Sequence, residues 1–560
     1  MKCHRGLRPL IARIAKNSST VGRAAMVAAA LVRSTSASAQ QMRATSVVPN
    51  GIDVVSYEFA LELPDSGSEI RGRATITAAR RTTTREMALD LLLPADSVLV
   101  NGRAVRFTQR SGVLRFPVAG AGDVVRATVV YHGAPTDGLI ISRDSAGRWQ
   151  AFGDNWPNRG RHWLPIVDHP RDKATVTWRV TAPVSLTVLA NGALADSTTT
   201  GGRREWVWQE RRPLPAYLMV IAAAPLEGHA VESKVCPPRD GAEGCLEQTV
   251  WTSPGIEVPP AFEEAAPIAA LFAELVAPFP YEKLAHVQSS TRFGGMENAS
   301  AIFYADGAFR RGTMSEGLIA HETAHQWFGD AVTERDWPHL WLSEGFATYF
   351  AELWTERSKG RDSFVAHMRA MRDGLLADSA AVPRRPVVDT LERDLLALLN
   401  ANSYAKGAFV LHMLRGVVGD STFFAGVRDY YARFRHGSAT TDDFRASMER
   451  ASGRDLRWFF AQWLRRPGYP EVAASWSYEP RGRRVYLQVV QRGRFGVFRF
   501  PLTVEVRRGD GTTARATIEV PAARSTRLVV PLELSERPAG VILDPEASLL
   551  ARLGPVAERR

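Results

Sequence analysis

The chain has 560 residues, of which 45% are hydrophobic and 23% charged, and carries a formal net charge of +11. That length is too great for one compact core and predicts three or four domains, while the ordinary composition excludes disordered and fibrous classes. The excess charge is mostly arginine, scattered in twos and threes without a dense basic run interleaved with aromatics, so it reads as a solvated surface and no nucleic-acid partner is expected.

The first forty residues stand apart. Lys2, Arg5, Arg8, Arg13 and Lys16 make a basic start without an acidic residue, an apolar run fills 24–32, and Ala37-Ser38-Ala39 follows. That order matches a secretory signal over 1–39 and predicts export, to the periplasm or outside the cell. Arg23 and Arg33 flank the apolar run closely, and a basic leader without export is the alternative. No later apolar run approaches the length of a membrane-spanning helix, so none is expected in the mature chain.

From about 45 to 225 the pattern has period two. Val55, Tyr57, Phe59, Leu61 and Leu63 alternate with polar or small residues, and 70–77, 124–131 and 175–181 repeat the texture between turn residues. This predicts an all-β domain. Cys236 and Cys245 follow, bracketing a Pro- and Gly-containing turn; in an exported chain they are expected to form a disulfide, and in a reducing compartment two free thiols. Residues 261–277 read as a helix kinked at Pro267, and 285–290 as a strand leading into Gly294-Gly295. Helices are expected from 314 to 464, the first opened by Thr313 and Glu316 at capping-box spacing. After Pro467 alternation returns, with Asp510-Gly511 as a hairpin turn, predicting a β-sandwich over 467–552.

The chemistry centres on His321-Glu322-Thr323-Ala324-His325. Histidines at i and i+4 lie one turn apart on one helical face and can address a single ion. Glu322 is rotated by about 100° from His321, which aims its carboxylate at the open side of that ion, the position of a general base. Glu344 lies 19 residues after His325 in a second helical stretch, WLSEGFATYF. Packed beside the first, that helix would add a carboxylate ligand. Two His and one carboxylate leave one coordination position free, the catalytic arrangement for Zn2+.

Together with Gly294-Gly295-Met296-Glu297-Asn298 and Tyr404-Ala405-Lys406-Gly407-Ala408, this pattern resembles the aminopeptidase N-type family of zinc metallopeptidases over roughly 50–480. The resemblance implies one zinc on His321, His325 and Glu344, a catalytic Glu322, and Tyr404 as a donor to the oxyanion. It assigns Glu297 to the α-amine of a peptide with a free N-terminus, within a substrate-binding block of Gly294, Gly295, Met296, Glu297 and Asn298. The two glycines would let substrate backbone approach closely. A second amine contact from the N-terminal domain would fall near Asp154 or Asn155. The implied fold is multidomain α and β: an N-terminal β-sheet domain, a thermolysin-like α/β catalytic domain with a helical extension over 226–466, and a C-terminal β-sandwich. Two positions depart from the family: Ser343 and Asp330 stand where Asn is common. His162, His286 and His339 are expected to serve packing or surface. A zinc endopeptidase, which would lack the GGMEN block, and a non-catalytic exported zinc protein are the competing readings.

Overall fold

The computed structural model describes residues 51–80, 84–120, 122–241 and 243–559. The expected secretory signal lies outside the described residues.

The N-terminal region is built on an eight-stranded sheet in the order 193–200, 203–215, 173–183, 52–62, 70–80, 124–133, 95–100 and 103–104. Its core face follows from alternation: Tyr57, Phe59 and Leu61 are buried, and Phe59 sits opposite Ala74 on one side and Trp178 on the other. The alternation fails at its start. The register shifts between Val54 and Ser56, so Ile52 and Val54 point inward and Val55 is 50% exposed. One extra residue in a bulge reverses the face of everything before it. A four-stranded sheet, 187–190, 221–224, 149–153 and 139–143, meets the next domain through Phe152 against Phe303.

The central domain carries a five-stranded sheet in the order 227–230, 248–252, 284–289, 301–305 and 295–296. The two-residue strand Gly295–Met296 is therefore an edge. Nine α-helices accompany it among the described residues: α1 (Ala265–Leu275), α2 (Asp306–Arg310), α3 (Glu316–His325), α4 (Trp341–Lys359), α5 (Arg361–Ala377), α6 (Gly407–Val418), α7 (Asp420–Phe434), α8 (Thr441–Ser452) and α9 (Arg457–Leu464). Pro267 does not kink a helix. It lies in the first turn of α1, where its missing N–H has no intrahelical partner to lose. The cap of α3 is Ser315, whose Oγ accepts from Leu318 N, two residues later than the capping-box spacing at Thr313 suggested.

Cys236 and Cys245 are bonded to each other, and the loop they close lies against the central domain: Arg239 Nη1 donates to Glu282 O at 2.8 Å. The C-terminal region consists of a four-stranded sheet (525–530, 484–491, 471–479, 552–558) and a three-stranded one (513–520, 500–507, 540–543). Asp510-Gly511 turns the chain between strands as the dipeptide predicts, with Gly511 at φ +85°. No helix among the described residues is long and apolar enough to cross a membrane.

Candidate metal centre

α3 and α4 pack side by side and face Tyr404, which sits on a short π-helical segment, Asn402–Lys406. Close approach is set by two glycines. A Cβ on Gly345 would lie 3.0 Å from Gly407 backbone, so α4 and the start of α6 meet almost backbone to backbone. That contact delivers Glu344 and Tyr404 to one place: the Tyr404 hydroxyl donates to Glu344 Oε1 at 2.7 Å.

The structure brings His321, His325 and Glu344 together. His321 Nε2 and His325 Nε2 are 3.1 Å apart, and Glu344 Oε2 lies 3.3 Å from the first and 3.5 Å from the second. For a tetrahedral ion with ligand distances of about 2.05 Å, neighbouring ligand atoms are about 3.3 Å apart. The triangle already has those edges. His325 Nδ1 lies 3.1 Å from Phe328 O, an acceptor that fixes the proton on that nitrogen and leaves Nε2 with its lone pair facing inward. Ser343 Oγ is 3.0 Å from the same Nδ1. The departure from Asn thus keeps a polar group on the ligand's rear face. Glu344 Oε2 is buried and receives no geometrically sound hydrogen bond. Opposed lone pairs and an orphaned carboxylate oxygen fit a divalent cation held by these three side chains.

Acid groups crowd this centre. Donor atoms of Glu297, Glu322 and His325 all lie within 4.8 Å of one another. Burial pushes the Glu322 carboxyl well above the usual range, helped by Glu297 and Glu344, and lifts Glu297 to about 7. Burial also raises Glu344, but its two imidazole neighbours outweigh that and hold it down at about 2. Burial alone would depress His325, yet Glu297 and Glu344 drive it well above its ordinary value. Glu334 and Asp330 add two more buried carboxyls, both raised mainly by burial. The nearby Lys173 ammonium is committed to the carbonyls of Asp330, Ala331 and Gly437 at 2.8–3.0 Å. The interior therefore crowds carboxyls whose ionised forms burial disfavours, and a bound cation would favour those charged forms.

Gly294 and Gly295 differ in their reasons for being glycine. A Cβ on Gly295 would fall 2.3 Å from Glu322 Oε1, so its absence makes room for the Glu322 carboxyl; around Gly294 nothing lies within 4 Å. Met296 is buried on the edge strand. Asn298 is fully buried with neither side-chain polar atom hydrogen-bonded. Asp154 is fully buried beside Arg159 Nη2 at 3.0 Å, with Thr291 Oγ1 at 3.4 Å, so its charge is already balanced by a neighbouring cation. Asn155 spans Met219 O and Trp163 Nε1, a packing role. His286 is enclosed between Tyr304 and Gln248, and His339 and His162 bond Thr441 and Thr136.

Gln326 has a role that the sequence reading does not assign. Its Nε2 donates to Glu297 O at 2.7 Å and to Asp330 Oδ2 at 2.8 Å, and its Oε1 accepts from Ser300 N at 2.8 Å. It staples the GGMEN loop to the end of α3. The N-terminal domain holds the same loop from the other side: Asn191 Nδ2 donates to Ala299 O and Gly192 N to Ser300 Oγ. The available signal is a polar residue placed directly after His325 in an otherwise apolar HQWF.

This fold and site define a metallopeptidase-type centre, with two helical histidines, a carboxylate from the neighbouring helix and a glutamate beside them. Residues 261–463 match the Peptidase family M1 domain and 124–218 the Peptidase M1 N-terminal domain. The chain belongs to peptidase family M1. It is 28% identical to a probable aminopeptidase 2 of Sulfurisphaera tokodaii, over 62% of this chain and 45% of that one. It is 25% identical to a leucyl aminopeptidase of Saccharolobus solfataricus, over 81% and 59%. The chain thus spans about half the length of these relatives. Among solved structures, the M1 zinc metallopeptidase of Deinococcus radiodurans superposes with a TM-score of 0.65 at 28% identity, over 75% of this chain and 95% of that one. A mutant form of that enzyme has been solved bound to a Tyr-Ser-Ala substrate.

Proposed function

We propose that this chain is a zinc aminopeptidase that hydrolyses the first bond of peptides with a free N-terminus. The observation that carries the reading is the placement of Glu297 and Glu322 beside the His321–His325–Glu344 triangle, in an interior crowded with buried carboxyls. The residues fit zinc, and the bound ion would supply a Lewis acid that acidifies water and polarises a carbonyl. Glu322, with its raised proton affinity, takes the proton of the attacking water and passes it to the leaving amine. The Tyr404 hydroxyl, within hydrogen-bond reach of Glu344, turns to the oxygen on which charge develops. Glu297 pairs with the substrate α-ammonium and sets the distance from the N-terminus to the reacting bond. The edge strand Gly295–Met296 offers backbone groups to an extended substrate. The M1 relatives named aminopeptidases support the same reading.

Export is part of the proposal, supported by the leader pattern over 1–39 and by the Cys236–Cys245 bond. N-terminal sequencing of the natural protein would show the leader removed; an intact leader overturns this part.

The defining assay compares free and N-acetylated aminoacyl reporter amides with the zinc-loaded chain and its Glu322→Gln variant. Cleavage confined to free-amine reporters and lost in the variant is expected. Cleavage of acetylated reporters would make the protein an endopeptidase and remove Glu297 from its role.

A further inference from the structure

A second concave site lies between α5 and the two C-terminal sheets. It is a groove of about 730 Å³, within the range of ligand-binding clefts. Arg369 and Arg372 reach it from α5, Arg507 and Arg515 from the three-stranded sheet and Arg552 from the four-stranded one. Asp373, Glu505 and Asp544 are its acidic members, so cations exceed anions among its lining side chains.

The pairing inside the groove is uneven. Arg372 is tied to Asp544 at 2.9 Å and Arg515 to Glu505 at 2.8 Å. Arg369 donates to Pro545 O and has no carboxylate partner among the described residues. Arg507 comes no closer than 3.9 Å to a carboxylate, whereas Arg552, 3.9 Å from Glu471, donates to Leu376 O at 2.9 Å and to the Tyr469 hydroxyl at 3.0 Å. Two guanidinium groups, Arg369 and Arg507, thus line the groove with weak internal compensation, and guanidinium forks are matched to carboxylates and other planar oxyanions.

The backbone adds a second constraint. The floor includes Gly540–Leu543 and Arg552–Glu558, which are edge strands of their respective sheets. Each edge leaves main-chain groups without a strand partner, although Pro555 has no N–H to offer. The walls between the arginines are apolar, from Leu376, Val541, Leu543 and Leu553. Arginines at the rim, apolar walls and unpaired strand edges together suit a chain that is extended and acidic, reading main chain by strand addition and carboxylates by guanidinium.

We propose that this groove docks an extended acidic peptide segment of a partner protein. The site is independent of the hydrolase reading and stands or falls without it.

The test uses the full chain and an N-acetylated, C-amidated hexaglutamate carrying a fluorophore, which an enzyme that needs a free amine cannot trim. Saturable binding by fluorescence anisotropy is expected at low salt, weakening as salt screens the charges. The double variant Arg369→Glu, Arg507→Glu changes exposed side chains and leaves the metal centre untouched; it is expected to lose affinity by at least about tenfold at unchanged thermal unfolding. An N-methylated backbone of the same charge is expected to bind more weakly. Equal affinity for the methylated peptide, or equal competition by inorganic polyphosphate or single-stranded DNA, would make the groove a general anion site and overturn the peptide assignment. Absence of saturable binding, or undiminished binding in the double variant, overturns the site itself.

Discussion

Gly295→Ala tests how tightly the backbone seats Glu322, the general base of the proposed reaction. The new methyl carbon would stand 2.3 Å from Glu322 Oε1, whereas real Cβ contacts are not found under 3.0 Å, so a displacement of at least 0.7 Å is required. Glu322 is buried and shares its surroundings with Glu297 and His325, which leaves its carboxylate little room to retreat. A shift approaching 1 Å at a reacting group costs about a hundredfold in rate. We therefore expect kcat on a free-amine reporter to fall by about two orders of magnitude, with one zinc per chain retained and KM changed by less than about threefold. Steady-state kinetics with metal analysis of the same sample measure this. A kcat within about threefold of the parent would show that the edge strand gives way instead, and the argument that Gly295 seats Glu322 would fail.

Ser343→Ala removes the hydroxyl behind His325 while Phe328 O remains; zinc affinity, measured by competition with a chelator, is expected to weaken by about tenfold. Tyr404→Phe keeps the ring against His321 but deletes the hydroxyl, so kcat should fall by about a hundredfold or more with little change in KM. Glu334→Gln addresses pH. Burial raises this carboxyl from 4.5 to about 8, and neither of its oxygens has a hydrogen-bond partner. The folded state therefore binds its proton more tightly than the unfolded chain, and Glu334 costs stability progressively as pH rises through that window. The non-titrating Gln variant should match the parent near pH 5 and exceed it at pH 7.5 by more than about 1.4 kcal/mol in urea unfolding; parallel pH curves would refute the assignment.

Much of the centre was readable because local periodicity encodes it. The i, i+4 histidines need only a helix, and Ser315 to His325 provides one. The alternation in 52–62 and 70–80 specified strands and their buried faces, except where the bulge at Val54 moved Val55 to the surface. A bulge adds one residue without a compositional mark, so period-two reading cannot locate it. The Ser315 cap was displaced from its expected position because neighbouring Ser and Thr residues carry interchangeable cap chemistry.

What the sequence by itself determined is the pairing of His321 and His325 on one helical face, with Glu322 beside them, and the alternation of β and helical regions, since each depends on residues near in the chain. Tertiary structure alone decided the rest. Gln326 bonds Glu297 from 29 positions away, and Gly345 admits Gly407 across a gap of more than sixty residues. Arg369 and Arg507 meet in one groove because two domains pack there. Such contacts are fixed by how faces pack, and packing joins residues between which the chain carries no periodic signal.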